Sequence, residues 1–219
     1  MSCRVVVLIS GGGTNLQALI DAAQRDELAD AQIVGVLSNR PNAGGLARAK
    51  QAGIPTVTLN HQGYASREAF DVAMQREIDA WQPDLVVLAG FMRILTADFV
   101  MHYQGRMINI HPSLLPKYPG LHTHARAIES GDTEHGATVH FVTAELDGGP
   151  AIVQARVPVL PKDTETALAQ RVQTIEHQIY PAAVVWFAQG LLTMRDGQAY
   201  MKQQLIGSTG LNWNESTPQ

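Results

Sequence analysis

Cysteine is nearly missing: Cys3 is the only one in 219 residues. That excludes a disulfide framework and any cysteine-built zinc site, and it suits a reducing compartment. Long hydrophobic runs are missing as well. The longest apolar runs, such as residues 5–9 and 85–92, fall far short of the roughly 20 residues a membrane helix needs. The opening residues lack the charged, apolar, small-residue order of a secretory signal, so a cytoplasmic location with no membrane partner is expected. Charge is scarce too. Charged residues make up 16% of the chain, against roughly 25% in an ordinary domain. With 16 Lys+Arg against 20 Asp+Glu the formal charge is −4. No surface built for polyanions is implied, and nucleic acid is disfavoured as a partner. There is no internal repeat and no low-complexity tract.

What the chain does have is a 45% hydrophobic content, enough for one domain with a substantial core. Short β-branched runs at 5–9, 33–37, 56–59, 85–88 and 107–110 alternate with helical periods at 15–25, 45–51, 66–81 and 96–103. Alternation of this kind signals βαβ units around a parallel sheet. Strands so apolar are buried on both faces. After 109 the pattern changes. A Pro/His-rich loop at 111–124 is followed by a short helix at 124–130, then by strand-like runs at 138–142 and 152–159 that should pair antiparallel. Residues 164–189 form one long helical pattern in which Pro181 should bend or split the helix. Alternation on both sides of Asp196-Gly197 predicts a terminal hairpin over 192–201. The expected fold class is therefore α/β: a doubly wound, mostly parallel, Rossmann-like sheet with an antiparallel C-terminal extension. One domain is expected over 1–207, with halves at about 1–105 and 106–207, and a disordered polar tail over 208–219.

Three constellations could carry chemistry. Ser10-Gly11-Gly12-Gly13-Thr14-Asn15 follows the first strand and opens the first helix, where free N–H groups and the helix dipole suit a phosphate. It is not the dinucleotide fingerprint: Leu16 stands where the last glycine belongs, and no acid ends the second strand. No Gly-Lys-Ser/Thr follows, so it is no P-loop. The bland alternative is a plain strand-to-helix turn. Second, Asn109 and His111 are two apart at the end of the last parallel strand, so both can face one reacting atom. An amide N–H and an imidazolium are suitable donors to a developing oxyanion. Third, Asp147 in Glu145-Leu146-Asp147-Gly148-Gly149 could orient and charge His111, although Asp-Gly is also ordinary turn chemistry. His122, His124, His135 and His140 fit no metal-ligand spacing, and no metal is expected.

These motifs, with residues 9–18, 88–95, 109–120, 139–142 and 145–149, resemble the folate-dependent formyltransferases, and among them those that formylate glycinamide ribonucleotide. The likeness covers about residues 4–189. Gly12 and Thr14 stand where relatives often carry Asn and Ser, and Thr14 keeps a hydroxyl. The resemblance implies a formyltransferase fold and transfer of a formyl group from 10-formyltetrahydrofolate, as co-substrate, to the amine of glycinamide ribonucleotide in purine biosynthesis. It implies Asn109, His111 and Asp147 as catalytic residues. Gly13, Thr14, Asn15, Gln173 and Glu176 would bind the ribonucleotide. Arg67, Met92, Arg93, Ile94, Leu95, Asn109, Thr143, Ala144, Glu145, Leu146 and Asp147 would bind the folate. For Met92 and Leu95 the plain alternative is core packing; for Arg67, Gln173 and Glu176 it is a solvated helix face. Oligomeric state leaves no mark in the sequence.

Three other functions share parts of this pattern. Formyltetrahydrofolate deformylase uses the same core but carries an added N-terminal domain, and methionyl-tRNA formyltransferase an added C-terminal one. Neither addition is expected in a chain of this length, and the deformylase stays as the alternative within the family. A non-catalytic nucleotide-binding module would leave Asn109, His111 and Asp147 without a reason.

Overall fold

The computed structural model describes residues 2–214. Strand β1 (Cys3–Ile9) leads through helix α1 (Thr14–Gln24) to β2 (Ala31–Ser38). Helix α2 (Gly44–Gln51) connects to β3 (Thr56–Thr58), and α3 (Arg67–Ala80) to β4 (Leu85–Leu88). Helix α4 (Ala97–His102) precedes β5 (Met107–His111), and α5 (Thr123–Glu129) follows it. Then come β6 (Glu134–Phe141), β7 (Ala151–Pro158) and the long α6 (Glu165–Ala188). The helix starts follow local chemistry: Ser66, Thr96 and Thr164 each accept a hydrogen bond from the backbone N–H three residues on.

Among the described residues the main sheet runs β7-β6-β5-β4-β1-β2-β3. Strands β1 to β5 pair in parallel, while β6 pairs antiparallel with both β5 and β7. The order reverses between β1 and β4, so their carboxyl ends flank the crevice where ligands bind in such sheets. Side-chain parity divides the core. Val5, Val7, Ile9, Leu85, Val87 and Ile108 face the layer containing α1 and α6, and Val6, Leu8, Val86 and Met107 face α3 and α4.

Two expectations are corrected. Helix α6 is not split at Pro181 but runs as one helix over Glu165–Ala188. Its neighbours Ile179, Tyr180, Ala183 and Val184 are fully buried, and that packing outweighs the roughly 3 kcal/mol a helical proline costs. Residues 208–214, expected in a disordered tail, carry strand β11 (Leu211–Asn212), which pairs in parallel with β7. Trp213 fastens this edge by donating its backbone N–H to Gln154 and its indole N–H to Gln178. The rest of that expectation, 215–219, lies outside the described residues. The hairpin formed by β8 (Leu192–Arg195) and β9 (Gln198–Met201) turns at Asp196-Gly197, both with positive φ, and β10 (Gln204–Leu205) adds a third strand.

Candidate active site

The glycine loop ends in Gly13, whose φ of 73° places the α1 N-cap in the left-handed region. A Cβ here would come within 2.6 Å of the Gly45 Cα, so the loop also needs glycine to pack on the start of α2. At Gly11 and Gly12 a Cβ would meet nothing. Those two glycines keep the backbone open to solvent. Helix α6 closes over the loop from the other side. Gln173 donates to the Thr14 hydroxyl at 3.0 Å, and Asn15 donates to the Glu176 carboxylate at 2.9 Å. Asn15 Oδ1 is buried without a partner among the described residues. Burial pushes the Glu176 carboxyl above the usual range, only partly opposed by the bond from Asn15. Arg48, which no motif marked, reaches back from α2 to the Gly12 carbonyl and to Gln17.

The second half of the site grows from a change of polarity on β5. Ile108 and Ile110 enter the core layer under α6, which leaves Asn109 and His111 on the opposite face. Antiparallel pairing sets Asn109 directly opposite His140, and His111 opposite Thr138. His140 Nδ1 lies 2.9 Å from the Phe141 carbonyl, which can only accept, so Nδ1 carries the hydrogen. His140 Nε2 therefore accepts from Asn109 Nδ2, at 3.1 Å. Burial pushes the His140 imidazole down to about 4, so it stays neutral at physiological pH.

The β6–β7 connection supplies the carboxylate. Asp147 takes a φ of 51°, uncommon outside glycine and tolerated best by Asp and Asn. Gly149 admits no side chain, because a Cβ would collide with the Phe141 carbonyl. Asp147 Oδ2 accepts from the Gly120 N–H at 2.8 Å and lies 3.4 Å from His111 Nδ1. Its Oδ1 is 3.9 Å from His140 Nε2. On the far side of the ring, His111 Nε2 donates to the Tyr118 carbonyl at 2.9 Å. Any proton exchanged by His111 must use Nδ1, the nitrogen that faces Asp147.

The 112–122 loop that holds Tyr118 is itself pinned. The Tyr118 hydroxyl and Lys117 bond Asp132, Arg126 bonds the Pro119 carbonyl, and Ser113 and Leu115 bond Thr138. Beneath it, His124 Nδ1 and His135 Nε2 are 3.1 Å apart. Burial lowers both imidazoles, His135 to about 4.

One cleft of about 110 Å³ collects much of what the sequence singled out: Arg93, Ile94, Leu95, Asn109, and the connection from Thr143 through Ala144, Glu145 and Leu146 to Asp147. The Arg93 guanidinium lies over the Phe70 ring, 4.9 Å from its centroid, and its Nε is buried without a hydrogen-bond partner among the described residues. Three residues stand apart from this lining. His111 reaches it through Asp147. Arg67 is exposed at the start of α3. Met92 is 61% exposed and touches the site through its backbone N–H, which donates to Ser10 Oγ at 2.8 Å. Sequence reasoning gave no site role to Phe91, Val142 and above all His140: all three lie in segments that carry the resemblance, but the one role weighed for His140 was that of a metal ligand. The signal for His140 was its register opposite Asn109, and register is set by the β5–β6 pairing.

A family model described as formyl transferase matches residues 3–184. The chain is 56% identical over 207 residues to the phosphoribosylglycinamide formyltransferase of Escherichia coli (strain K12), covering 94% of this chain and 97% of that protein. It is 52% identical over 189 residues to the trifunctional purine biosynthetic protein adenosine-3 of Drosophila melanogaster, covering 85% of this chain and 14% of that protein. Among solved structures, the phosphoribosylglycinamide formyltransferase of Coxiella burnetii in complex with CHES superimposes with a TM-score of 0.94 at 50% identity. It covers 98% of this chain and 100% of that one.

Proposed function

The chain belongs to the formyl transferase family and is a formyl-transferring enzyme of purine biosynthesis; on that premise we propose how its own residues divide the work. The acceptor is the primary amine of glycinamide ribonucleotide and the donor is 10-formyltetrahydrofolate. Gly13, Thr14 and Asn15 hold the ribonucleotide phosphate at the start of α1, with Gln173 and Glu176 toward its ribose and glycinamide end. The folate lies along the cleft from Arg93 to Asp147. Two orphaned polar atoms support this assignment, one on each side: Asn15 Oδ1 and Arg93 Nε.

When the amine attacks the formyl carbon, a C–N bond forms and the carbonyl electron pair moves onto oxygen. Asn109, whose amide His140 holds in place, donates its second Nδ2 hydrogen to that oxyanion. Asp147 and His111 form the proton path: a proton leaves the attacking nitrogen toward the carboxylate that faces His111 Nδ1, directly or through a water. It ends on the departing folate nitrogen as the old C–N bond breaks. The products are the formylated amide and tetrahydrofolate, and no covalent enzyme intermediate is needed.

The observation that carries this reading is the convergence of Asn109, His140 and Asp147 on one cleft wall, with His111 3.4 Å behind the carboxylate. The test is to mix the enzyme with 10-formyltetrahydrofolate and follow tetrahydrofolate release with and without glycinamide ribonucleotide. Release that depends on the amine is expected. Release that ignores it would mark a hydrolase instead.

A further inference from the structure

Helix α6 presents a third inward side chain, one turn beyond Glu176, that the chemistry above does not use. Tyr180 is fully buried. Its hydroxyl lies 2.9 Å from the Leu88 carbonyl and 3.2 Å from the Ile108 carbonyl. These carbonyls belong to adjacent strands at their carboxyl ends, where β4 and β5 pair Leu88 with Asn109. The Leu88 carbonyl is the peptide that leads into the 89–95 segment of the cleft. The Ile108 carbonyl is the peptide that carries Asn109. One phenolic proton is therefore shared between the backbone of the folate wall and the backbone of the oxyanion donor.

We propose that Tyr180 is a positioning residue for formyl transfer, setting Asn109 against the 89–95 segment by bridging the peptides from which both depart. The proposal rests on the oxyanion role given to Asn109 above. Burial holds the phenol well above its ordinary pKa, so it stays a hydrogen-bond donor throughout the working range. The same face of α6 makes the geometry continuous. Gln173 meets Thr14, Glu176 meets Asn15, and Tyr180 meets β4 and β5. A single helix thus registers the ribonucleotide half of the site against the folate half. Sub-ångström displacement of a catalytic donor is costly, because near-attack geometry tolerates little error.

The test is steady-state kinetics on Tyr180→Phe, which deletes one oxygen from the ring. A fall in kcat of about tenfold and a raised KM for the formyl donor are expected, with the ribonucleotide KM unchanged. Val184→Ala, on the same helix, fully buried and outside the site, is the control for a loss that is merely structural. It should lower the melting temperature and leave kcat alone. In an Asn109→Ala background, Tyr180→Phe should add little further loss of kcat, since coupled groups are not additive. Unchanged kcat in Tyr180→Phe beside a disabled Asn109→Ala overturns the role of Tyr180 alone. Full additivity in the double variant, or an equal fall in Val184→Ala, overturns it too. An inert Asn109→Ala removes the oxyanion role and the positioning role with it.

Discussion

Asn109 and His140 stand opposite each other on β5 and β6, and the asparagine amide nitrogen lies 3.1 Å from His140 Nε2. Because His140 Nδ1 is committed to the Phe141 carbonyl, Nε2 presents a lone pair, and a lone pair can receive only the NH2 end of the amide. The histidine thereby decides which way Asn109 points. His140→Leu should free the amide to rotate and lower kcat about 10- to 100-fold, within the range for impaired oxyanion donors. Ribonucleotide affinity, measured by calorimetry, should not move. An unchanged kcat would remove His140 from the site.

Asn109→Ala should lose roughly 10²–10³ in turnover as the oxyanion donor, and His111→Ala roughly 10²–10⁴ as part of the proton path, each while still binding the ribonucleotide. Single-turnover rates and equilibrium binding separate the two effects. A double variant that works at the wild-type rate would refute both roles.

Asp147→Asn keeps an oxygen for the Gly120 N–H but removes the negative charge 3.4 Å from His111 Nδ1. If the carboxylate lies on the proton path, kcat should fall about 10²-fold, as for loss of a general acid–base group. Thermal stability should change little. A variant whose kcat against pH overlays the wild type would show that Asp147 only shapes the turn.

Glu176 makes the folded state hold a proton that the unfolded chain releases. Its folded pKa lies above the ordinary value of 4.5. Its contribution to stability is thus complete below that pH and declines as pH rises through it toward the folded value. Glu176→Gln keeps the acceptor for Asn15 and should flatten that decline, giving a higher melting temperature near neutrality with weaker ribonucleotide binding. Melting curves across the acid-to-neutral range check the slope. A steeper decline in the variant would contradict the assignment.

The His124–His135 pair has the opposite sign. Both imidazoles are held below the ordinary 6.5, His135 at about 4. The stability they contribute is present above pH 6.5 and is lost as pH falls toward 4, because the unfolded chain takes up protons first. His135→Asn should therefore lose less stability than the wild type between those values, as urea titrations at several pH values would report. Parallel curves would rule the pair out as a source of acid sensitivity.

Much of the architecture was legible in the chain. Apolar runs such as 5–9 and 85–88 can only be strands buried on both faces. Gly53 and Gly105 stop helices where a left-handed residue is needed, and Asp196-Gly197 closes a hairpin. The helix through Pro181 and the edge strand at Leu211–Asn212 were not legible. In both, contacts from distant residues overrode a local rule: Tyr180 and Val184 hold one, and Gln154 and Gln178 the other. The candidate site divides in the same way. Asn109, His111 and Asp147 stood out by type and position, whereas His140 looked like one histidine among several.

Residue order alone settled which strands exist, where the glycine loop opens a helix and which side chains could do acid–base or oxyanion chemistry, since these follow from periodicity, backbone freedom and functional groups. The fold decided that His140 orients an amide, that Arg67 and Met92 stand away from the cleft and that α6 joins both halves of the site. Those outcomes depend on strand register and helix packing between residues up to 161 positions apart, and no local pattern encodes a distance across space.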